Sequence, residues 1–412
     1  MATRVLIIHY TPPGIVGGVE YVMQEQVRLL SDRGFRVQVV AGRPGAKDLR
    51  AHVIPEIEAA TDESAVVEEE LAAGVVSPRF HRRRKIILDR LTSLAADADF
   101  LIVHNAFTLQ FSMPLTAALW ELAATRRYGS VVAWCHDLAW TNPLYLPAMH
   151  DGYPWDLLRV PAPNTRYVTV SVERKRQLAQ IWRAHTADIR VIPNGVDVKS
   201  FLRLGTMTCD LVERYRLLDR DIVLLLPVRI TRRKNIEAAI RATGCLKERG
   251  LDVMLLVSGP VAPHHPGRSA AYLDGLKRLR DERDVRDEIV FLADELGQSL
   301  DDQTVGELYS ISDALLLPSM QEGFGLPILE AGISRVPVIS SDIPIFREVA
   351  GGEAALFEPE GPAGAIANMI LAALDTPAGR LRRRVLNEYR WDVIVDTLLL
   401  PLLGISDQKE SA

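Results

Sequence analysis

The sequence predicts an α/β protein with two doubly wound parallel sheets. Strand-like apolar runs alternate with helical patterns along most of the chain, and the alternation restarts at Asp221. The length of 412 residues is enough for two or three domains. Two such halves would face each other across a central cleft, and in open α/β sheets ligands bind beyond the carboxyl ends of the strands.

The N-terminal half contains six runs with the composition of buried strands. They are rich in Val and Ile, which is typical of strands covered on both faces, and they lie at Val5–Tyr10, Arg36–Ala41, Phe100–His104, Val131–His136, Tyr167–Ser171 and Ile189–Gly195. A helix is predicted near Val19–Arg33. The segment Arg43–Gly74 is less regular, although it includes the helix-like acidic run VVEEELAAG.

The C-terminal half contains five strong strand candidates separated by helical stretches. They lie at Ile222–Val228, Val253–Gly259, Ile289–Asp294, Ala314–Ser319 and Val336–Ser341. The segment Asp197–Arg220 between the halves is predicted to be a linker. The final residues, Ser406–Ala412, are polar, and we expect them to be disordered.

Composition excludes several classes of protein. The net charge of −5 argues against a general polyanion binder, so no nucleic-acid partner is expected. Three widely separated cysteines, Cys135, Cys209 and Cys245, predict neither a disulfide framework nor a zinc site, and they favour a reducing cytoplasm. No apolar run approaches the roughly 20 residues of a membrane span. With a strand predicted from Val5, we expect no signal peptide; peripheral membrane contact stays open.

The sequence QEGFGLPILE, residues 321–330, follows a predicted strand and opens a helix at Pro327. It places Glu322 before a glycine-rich turn and Glu330 just inside the helix. Helix-start N–H groups can bind phosphate, glycines allow close approach of a ligand, and carboxylates accept hydrogen bonds from sugar hydroxyls. A sugar-nucleotide site requires this combination, although an ordinary tight turn before a helix has the same residues.

A basic motif follows the strand Ile222–Val228. Arg229 and Lys234 are predicted to bind a diphosphate, because Arg offers a planar fork for phosphate and Lys a mobile point charge. Arg232 and Arg233 are predicted to be solvated, and Thr231 is a candidate cap for the next helix. The plain alternative is a basic loop that only keeps the turn soluble.

These motifs together resemble one family. Arg229 and Lys234, followed by EGFGLPILE, look like the donor-site signature of the retaining glycosyltransferases of family 4, the group 1 enzymes similar to glycogen synthase and phosphatidylinositol mannosyltransferase. TPPGIVGGVE at 11–20 resembles the family's first glycine-rich loop, VIPNGVDVKSF at 191–201 its interdomain segment, and YRWDVIV at 389–395 the start of its closing helix. The likeness is strongest over 189–345 and weakest over 43–85 and 141–163.

The resemblance implies the GT-B fold. Residues 1–195 would form a Rossmann-like acceptor domain, completed by a returning helix and tail over 386–412. Residues 196–385 would form the Rossmann-like nucleotide-sugar donor domain.

The resemblance also implies roles for matching positions in the donor half. Glu322 would bind hydroxyls of the donor sugar, and Glu330 would accept hydrogen bonds from the nucleotide ribose. Arg229 and Lys234 would neutralise the diphosphate. The backbone amides that would face the sugar and phosphate belong to Phe324, Gly325 and Leu326, and the base would pack near Phe291–Glu295.

Two further roles are implied in the acceptor half. Gly17 and Gly18 would let the first loop close over the β-phosphate and the acceptor. His136, with Asp137 and Trp140 nearby in sequence, resembles the family's histidine beside the transferred sugar; His104 and His9 are the alternatives, and each of the three could be structural. The implied catalytic set is therefore His136, Arg229, Lys234 and Glu322.

The implied reaction moves a hexose from a nucleoside diphosphate sugar to a hydroxyl acceptor, with retention of configuration. We expect no cofactor and no obligate metal, because no aspartate pair of the metal-binding type ends a predicted strand. Alternatives are a glycosidase that uses Glu322 and Glu330 as its acid/base pair, a GT-B epimerase or phosphorylase, and a sugar-nucleotide-binding module without activity.

The acceptor is left open by the sequence. The basic run RFHRRRK at 79–85 suits an anionic acceptor or a lipid headgroup, and equally a solvated helix end. A set of aromatic residues suits either ring stacking or core packing: Trp134, Trp140, Tyr145, Tyr153 and Trp155. Small polar, anionic and lipid-linked acceptors all remain candidates.

Overall fold

The computed structural model describes residues 2–45, 51–58, 62–183, 189–262 and 266–405. The chain divides into two compact units, Met1–Val196 with Tyr389–Ala412, and Asp197–Glu388. The predicted disordered tail, Ser406–Ala412, lies outside the described residues.

Among the described residues, the first unit contains a seven-stranded, wholly parallel sheet. Its strands are β1 Arg4–Ile8, β2 Arg36–Ala41, β3 Ala51–Val53, β4 Phe100–His104, β5 Val131–Cys135, β6 Thr165–Thr169 and β7 Ile189–Val191. Their order across the sheet is β3-β2-β1-β4-β5-β6-β7. Every residue of β4 and β5 is buried, as expected of central strands covered by helices on both faces.

Helices cover both faces of this sheet. They are α1 Gly18–Asp32, α2 Asp62–Ala72, α3 Pro78–Ala95, α4 Met113–Ala124 and α5 Val172–Trp182, with 3₁₀ turns at Pro55–Ile57, Ala139–Thr141, Leu146–Ala148 and Trp155–Leu158. Ser77 accepts a hydrogen bond from the N–H of Phe80 and so caps α3, and Ser171 caps α5 in the same way through Arg174.

The second unit contains a six-stranded parallel sheet among its described residues. Its strands are β8 Ile222–Leu226, β9 Val253–Val257, β10 Ile289–Phe291, β11 Ala314–Leu317, β12 Val338–Ser341 and β13 Ala355–Phe357. Their order is β10-β9-β8-β11-β12-β13. The helices are α6 Val198–Phe201, α7 Thr206–Tyr215, α8 Ile236–Lys247, α9 Pro266–Glu282, α10 Leu292–Glu295, α11 Asp302–Ile311, α12 Leu326–Ser334, α13 Pro344–Ala350, α14 Ala363–Leu374 and α15 Pro377–Glu388, with a 3₁₀ turn at Arg232–Lys234.

The end of the chain returns to the first unit. Two short helices, α16 Trp391–Ile394 and α17 Leu400–Leu402, are joined by a π-helical segment at Val395–Leu399. Trp391 and Leu399 are buried in the same apolar cluster as Val5 and Ile7 of β1. This last segment therefore supplies part of the first unit's core.

The structure corrects two expectations from the sequence. The segment 197–220, predicted to be a linker, forms α6 and α7 and buries Leu211, Val212 and Leu217 in the core of the second unit. The edge strands β3 and β13 were missed, because each is short, is largely unburied and does not belong to a longer strand-like run such as those that contain β7 and β10.

Strand order reverses once in each sheet. The chain goes outward from β1 to β2 and β3 and then crosses back to β4, and it goes outward from β8 to β9 and β10 before crossing back to β11. Helices on the two sides of such a reversal diverge, which leaves a crevice beyond the carboxyl ends of the two central strands. The loops after β1 and β4, and those after β8 and β11, are therefore the places to look for ligand-binding residues.

Candidate functional site

In the second unit, the loops that follow β8 and β11 are held together. The backbone N–H of Met320 donates to the carbonyl of Arg233 at 2.8 Å. The Nζ atom of Lys234 donates to Oε2 of Glu322, so the basic motif and the acidic motif predicted from sequence meet at the reversal of strand order.

Glu322 lies among cations and N–H groups. Besides Lys234 it accepts from the N–H of Gly323 at 3.0 Å, and Nη1 of Arg233 is 3.4 Å from its Oε1. Burial opposes ionisation, but the hydrogen bond from Lys234 and its charge outweigh burial, so the pKa of Glu322 lies below its ordinary value. Glu322 is therefore a carboxylate, able to accept hydrogen bonds, at neutral pH.

The cations of this region differ in how they are held. Lys234 is buried, while Arg229 is exposed and has no hydrogen-bond or ionic partner among the described residues. Arg232, predicted to be solvated, lies over the ring of Tyr272 at 5.0 Å, and Arg233, also predicted to be solvated, has a half-exposed side chain near Glu322. Arg229 is thus the cation that an anionic ligand could bind without displacing a partner.

The predicted cap at Thr231 is wrong. α8 begins at Ile236, its cap position is Asn235, and Thr231 instead precedes the 3₁₀ turn, where its side chain makes no capping hydrogen bond. The Oγ1 atom of Thr231 is buried without a partner among the described residues. Asn235 adopts φ +49°, and its Nδ2 donates to the carbonyl of Pro359 at 3.1 Å, which holds the turn in place.

The glycine-rich turn ends at the N-terminus of α12. Gly325 has φ +99°, and a Cβ atom there would lie 3.0 Å from the ring of Phe346, so only glycine suits the position. The first N–H groups of a helix have no intrahelical acceptor and carry its positive end. The side chains of Phe324 and Leu326 are exposed, which leaves this helix start open to a ligand.

Glu330 lies on an exposed part of α12. The hydroxyl of Tyr309, a buried residue of α11, donates to its Oε2 at 2.6 Å. Oε1 of Glu330 accepts no hydrogen bond within the described part of the chain. The sequence singled out Glu330 but missed Tyr309, because no local motif joins two residues 21 positions apart.

In the first unit, three buried histidines lie at the carboxyl ends of β1, β4 and β5. Nδ1 of His104 is 3.0 Å from Nε2 of His136, and Nε2 of His104 is 3.0 Å from Oε1 of Gln26. Nδ1 of His9 is 3.1 Å from the carbonyl of His104. With the amide oxygen of Gln26 facing it, His104 would carry its proton on Nε2 and would accept at Nδ1 from the Nε2–H of His136. In that tautomer the Nδ1 atom of His136 is unprotonated.

Burial keeps all three rings uncharged. Burial, with a smaller effect of the neighbouring His9, lowers the pKa of His136 to about 3. Burial lowers the pKa of His104 well below its ordinary value, and the pKa of His9 is lowered for the same reason. At neutral pH His136 therefore presents a neutral ring.

The neighbours of His136 are not those suggested by its sequence context. Asp137 forms an ion pair with Arg174 at 3.0 Å, and the ring of Trp140 lies under Arg159. The partner of His136 is His104, which sequence reasoning had kept only as an alternative catalytic residue. Their contact could have been anticipated, because each histidine is the last residue of a predicted strand and the two strands are adjacent and parallel in the sheet.

Asn105 fixes the loop that carries His136. It adopts φ +56°, and its Oδ1 accepts from the N–H groups of His136 at 2.8 Å and Asp137 at 3.2 Å. Asn tolerates this left-handed conformation better than most residues. Its amide replaces the hydrogen bonds that the strand loses where β5 ends.

The first glycine-rich loop leads into α1. Gly17 occupies the cap position and Gly18 begins the helix. Glu20 folds back over the loop and accepts from the hydroxyl of Thr11. A Cβ at Gly17 would meet the Glu20 carboxylate, whereas one at Gly18 would meet nothing within 4 Å. Gly18 is thus the more open of the two positions predicted to bind the donor.

The region predicted to hold the base follows β10. Phe291 ends that strand, and Leu292 and Ala293 are buried in the short helix α10. Asp294 pairs with Lys277 at 2.6 Å. The segment is therefore built mainly from apolar side chains and backbone.

The basic run at 79–85 lies in α3 and is largely neutralised. Arg79 pairs with Glu70 at 3.0 Å, Lys85 pairs with Asp89 at 3.0 Å, and Arg84 pairs with Glu121. Arg83 is buried and donates to backbone carbonyls at residues 56 and 58. Most of this positive charge therefore already has a partner in the folded chain.

The aromatic candidates divide into two groups. Trp134 and Trp155 are buried in apolar clusters. Tyr145 is in edge contact with the exposed Phe111 at 5.5 Å, and Tyr153 is itself partly exposed. Core packing explains the first group, and the second group stays available for contact with a ligand.

Two kinds of feature are absent from the described residues. They contain no group of three or more His, Cys, Asp or Glu side chains arranged to hold a metal ion. None of their helices combines the length and apolar character needed to cross a bilayer.

Comparisons with known proteins match both halves of the chain. The family described as "Glycosyl transferases group 1" matches residues 211–390, and the family described as "Glycosyltransferase Family 4" matches residues 16–200. The first match contains the basic and acidic motifs of the second unit. The second match begins inside the glycine-rich loop and contains Gly17 and Gly18 together with two of the three histidines, His104 and His136.

Individual relatives have modest identity. Mannosylglucosylglycerate synthase of Thermotoga maritima is 24% identical over 84% of this chain and 82% of its own length. The O-antigen chain mannosyltransferase RfbU of Salmonella typhimurium is 37% identical over 55% of this chain and 56% of its own length. The sucrose-phosphate synthase structure from Thermosynechococcus elongatus aligns over 98% of both chains with 18% identity and a TM-score of 0.39.

Two observations lead to one assignment. The two matched families together span nearly the whole chain, and each unit contains a parallel sheet whose strand order reverses once. The relatives are named as synthases and transferases of sugars. The chain belongs to the group 1 glycosyltransferases of GT-B fold, and it is a glycosyltransferase.

Proposed function

We propose that this enzyme transfers a hexose from a nucleoside diphosphate sugar to a hydroxyl acceptor, with retention of configuration and without an obligate metal. The observation that carries the proposal is the arrangement at the end of β8 and β11. There the ion pair of Lys234 and Glu322 lies in the loops next to Arg229, which has no partner among the described residues, and to the exposed start of α12.

The diphosphate would be bound by groups that the chain itself supplies. The Lys234 ammonium has three N–H donors, so it can keep its bond to Glu322 and still donate to a phosphate oxygen. Arg229 offers a planar fork, and the α12 amides offer fixed dipoles. As the glycosidic bond breaks, the leaving diphosphate gains negative charge, and preformed positive groups stabilise that charge more than the bound substrate.

The donor sugar would be bound by an anionic acceptor. Glu322 is ionised and can accept hydrogen bonds from the sugar hydroxyls. In the first unit, taken by itself, the neutral ring of His136 is a candidate hydrogen-bond acceptor. The acceptor oxygen would attack on the face that the diphosphate leaves, and its proton would pass to the departing phosphate oxygen.

The same geometry disfavours a glycosidase. A general acid needs a carboxyl whose pKa is raised, so that it holds a proton at working pH. The hydrogen bonds that Lys234 and Gly323 donate to Glu322 lower its pKa instead. Glu330, the other carboxylate, already accepts a hydrogen bond from Tyr309.

The names of two relatives contain the word mannosyl, so we propose mannose as the first sugar to test. The chain would be incubated with UDP-, GDP- and ADP-sugars and a mixed set of polar, anionic and lipid-linked acceptors, with and without a chelator. We expect nucleoside diphosphate release, a product of retained configuration by NMR, and turnover unchanged by the chelator. A donor should also raise the melting temperature. Binding without transfer to any acceptor would overturn the proposal, as would an inverted product.

A further inference from the structure

We propose that Tyr309 is a positioning residue for nucleotide binding: it holds Glu330 so that one carboxylate oxygen stays free to accept hydrogen bonds from the ribose. This inference rests on the proposed function. It adds a residue from α11 that contacts no ligand itself.

Tyr309 has one polar atom, and the fold directs that atom at Glu330. The ring is 2% exposed and packs in the core of the second unit. A buried tyrosine hydroxyl needs a partner, and this one donates to Oε2 of Glu330 at 2.6 Å, with the carbonyl of Pro327 more distant at 3.4 Å. The 2.6 Å distance is typical of a hydroxyl that donates to a charged carboxylate.

The direction of this hydrogen bond is fixed. Burial raises the pKa of Tyr309, and the adjacent Glu330 carboxylate raises it further, so the phenol keeps its proton and remains the donor. Glu330 must then be the acceptor at Oε2. Its remaining lone pairs can only accept, which matches ribose hydroxyls, because these are donors.

The position of Glu330 explains why such a support would matter. The residue is exposed on α12, five positions after Gly325, and an exposed glutamate samples several rotamers. The hydrogen bond from a rigid buried ring selects one of them before the ligand arrives. Binding then loses less side-chain freedom, which is the general benefit of a preorganised site.

A purely structural explanation is that Tyr309 only joins α11 to α12. The two explanations differ in one measurable respect. If the bond positions Glu330, its loss should weaken only ligands that carry ribose hydroxyls; if it only joins the helices, its loss should weaken all nucleotides alike.

The test compares Tyr309→Phe with wild type by calorimetry. UDP, GDP and ADP are titrated first, and the tightest of them is then compared with its 2′,3′-dideoxy analogue. The phenylalanine ring keeps the buried packing. We expect Tyr309→Phe to bind the ribonucleotide up to about tenfold more weakly, because the Glu330 side chain must then be ordered on binding, and to bind the dideoxy analogue as wild type does. Adding Tyr309→Phe to Glu330→Ala should have no further effect on ribonucleotide affinity.

Thr208→Val is the matched control. The buried Thr208 hydroxyl donates to the carboxylate of Glu307, which is also on α11 but is not a predicted site residue. The control also removes a buried hydroxyl-to-carboxylate hydrogen bond that involves α11. It should leave the affinities for the ribonucleotide and for the dideoxy analogue unchanged.

Three results would count against the inference. Unchanged ribonucleotide affinity in Tyr309→Phe would overturn it, and so would an equal loss for the ribonucleotide and its dideoxy analogue. Failure of the wild-type chain to bind any of the three nucleotides would overturn the proposed function, and this inference with it. The wild-type titration therefore separates the two kinds of failure.

Discussion

Lys234 and Glu322 form an ion pair that links the loop after β8 to the loop after β11, 88 residues further along the chain. Both side chains are largely buried. Each residue thus has two roles, since it stabilises the loops and presents charge where the strand order reverses. A substitution at either position changes both properties, so the tests below separate them.

The first prediction concerns Lys234. In Lys234→Met, the loss of a fixed positive group should reduce turnover about 100- to 1000-fold. It also leaves a buried carboxylate without its main partner, so the free energy of unfolding should fall by about 1–3 kcal/mol. Urea unfolding and steady-state kinetics measure the two effects.

The double variant Lys234→Met/Glu322→Gln separates the effect on turnover from the effect on stability. It removes both charges, so much of the lost stability should return while turnover stays low. Recovery of turnover together with stability would show that Lys234 acts only on the fold.

The second prediction concerns Arg229. Because Arg229 is exposed and has no partner among the described residues, Arg229→Ala should change the free energy of unfolding by less than about 0.5 kcal/mol. Affinity for nucleoside diphosphate and turnover should both fall, because one of the phosphate-binding cations is gone. Arg283→Ala, at an exposed arginine after α9, is the control and should change neither. Equal nucleotide affinity in the two variants would rule out phosphate binding by Arg229.

The third prediction concerns the turn before α12. Gly325→Ala places a side chain at φ +99° and against Phe346, so the unfolding free energy should fall by about 1–3 kcal/mol. Gly323→Ala is the matched control, because nothing lies within 4 Å of its Cβ position and its φ is not in the left-handed region. Thermal melts of both variants measure the difference. Equal melting temperatures would contradict the strain assigned to Gly325.

The fourth prediction concerns pH. The pKa values of His9, His104 and His136 are lowered in the folded chain, so below about pH 6.5 the unfolded chain binds more protons. The free energy of unfolding should therefore fall as pH drops from 7 towards 4, by up to about 1.4 kcal/mol per pH unit for each histidine. Denaturant titrations from pH 7.5 to 4.5 measure this slope, and His104→Asn should reduce it. The same slope in the variant would show that His104 is not held uncharged.

The sequence predicted the inner strands and the edge strands β7 and β10, and it missed the edge strands β3 and β13. The predicted bounds of β2 and β4 are confirmed, because continuous apolar runs in a parallel sheet leave little ambiguity. The three-residue strands β3 and β13 have no such run. Their pairing depends on the neighbouring strand and not on their own composition.

The candidate site, too, was predicted only in part from the sequence. Local motifs identified Arg229, Lys234, Glu322 and Glu330, since each belongs to a short segment at a strand end. The supporting residues come from distant positions: Tyr309 reaches Glu330 from another helix, and Gln26 reaches His104 from α1. Such contacts depend on tertiary packing, which a single sequence does not encode in any fixed spacing.

The return of the last helical segment constrains how the chain can fold during synthesis. Trp391, Val395 and Leu399 complete an apolar cluster with β1 and α1, at the opposite end of the polypeptide. While the ribosome is still making the second unit, α1 can already pack on this face of the first sheet, but the part that the last segment covers remains in contact with water. The second unit, whose residues 197–388 are continuous, can finish its own core first. The first unit therefore completes its apolar core after the second unit does.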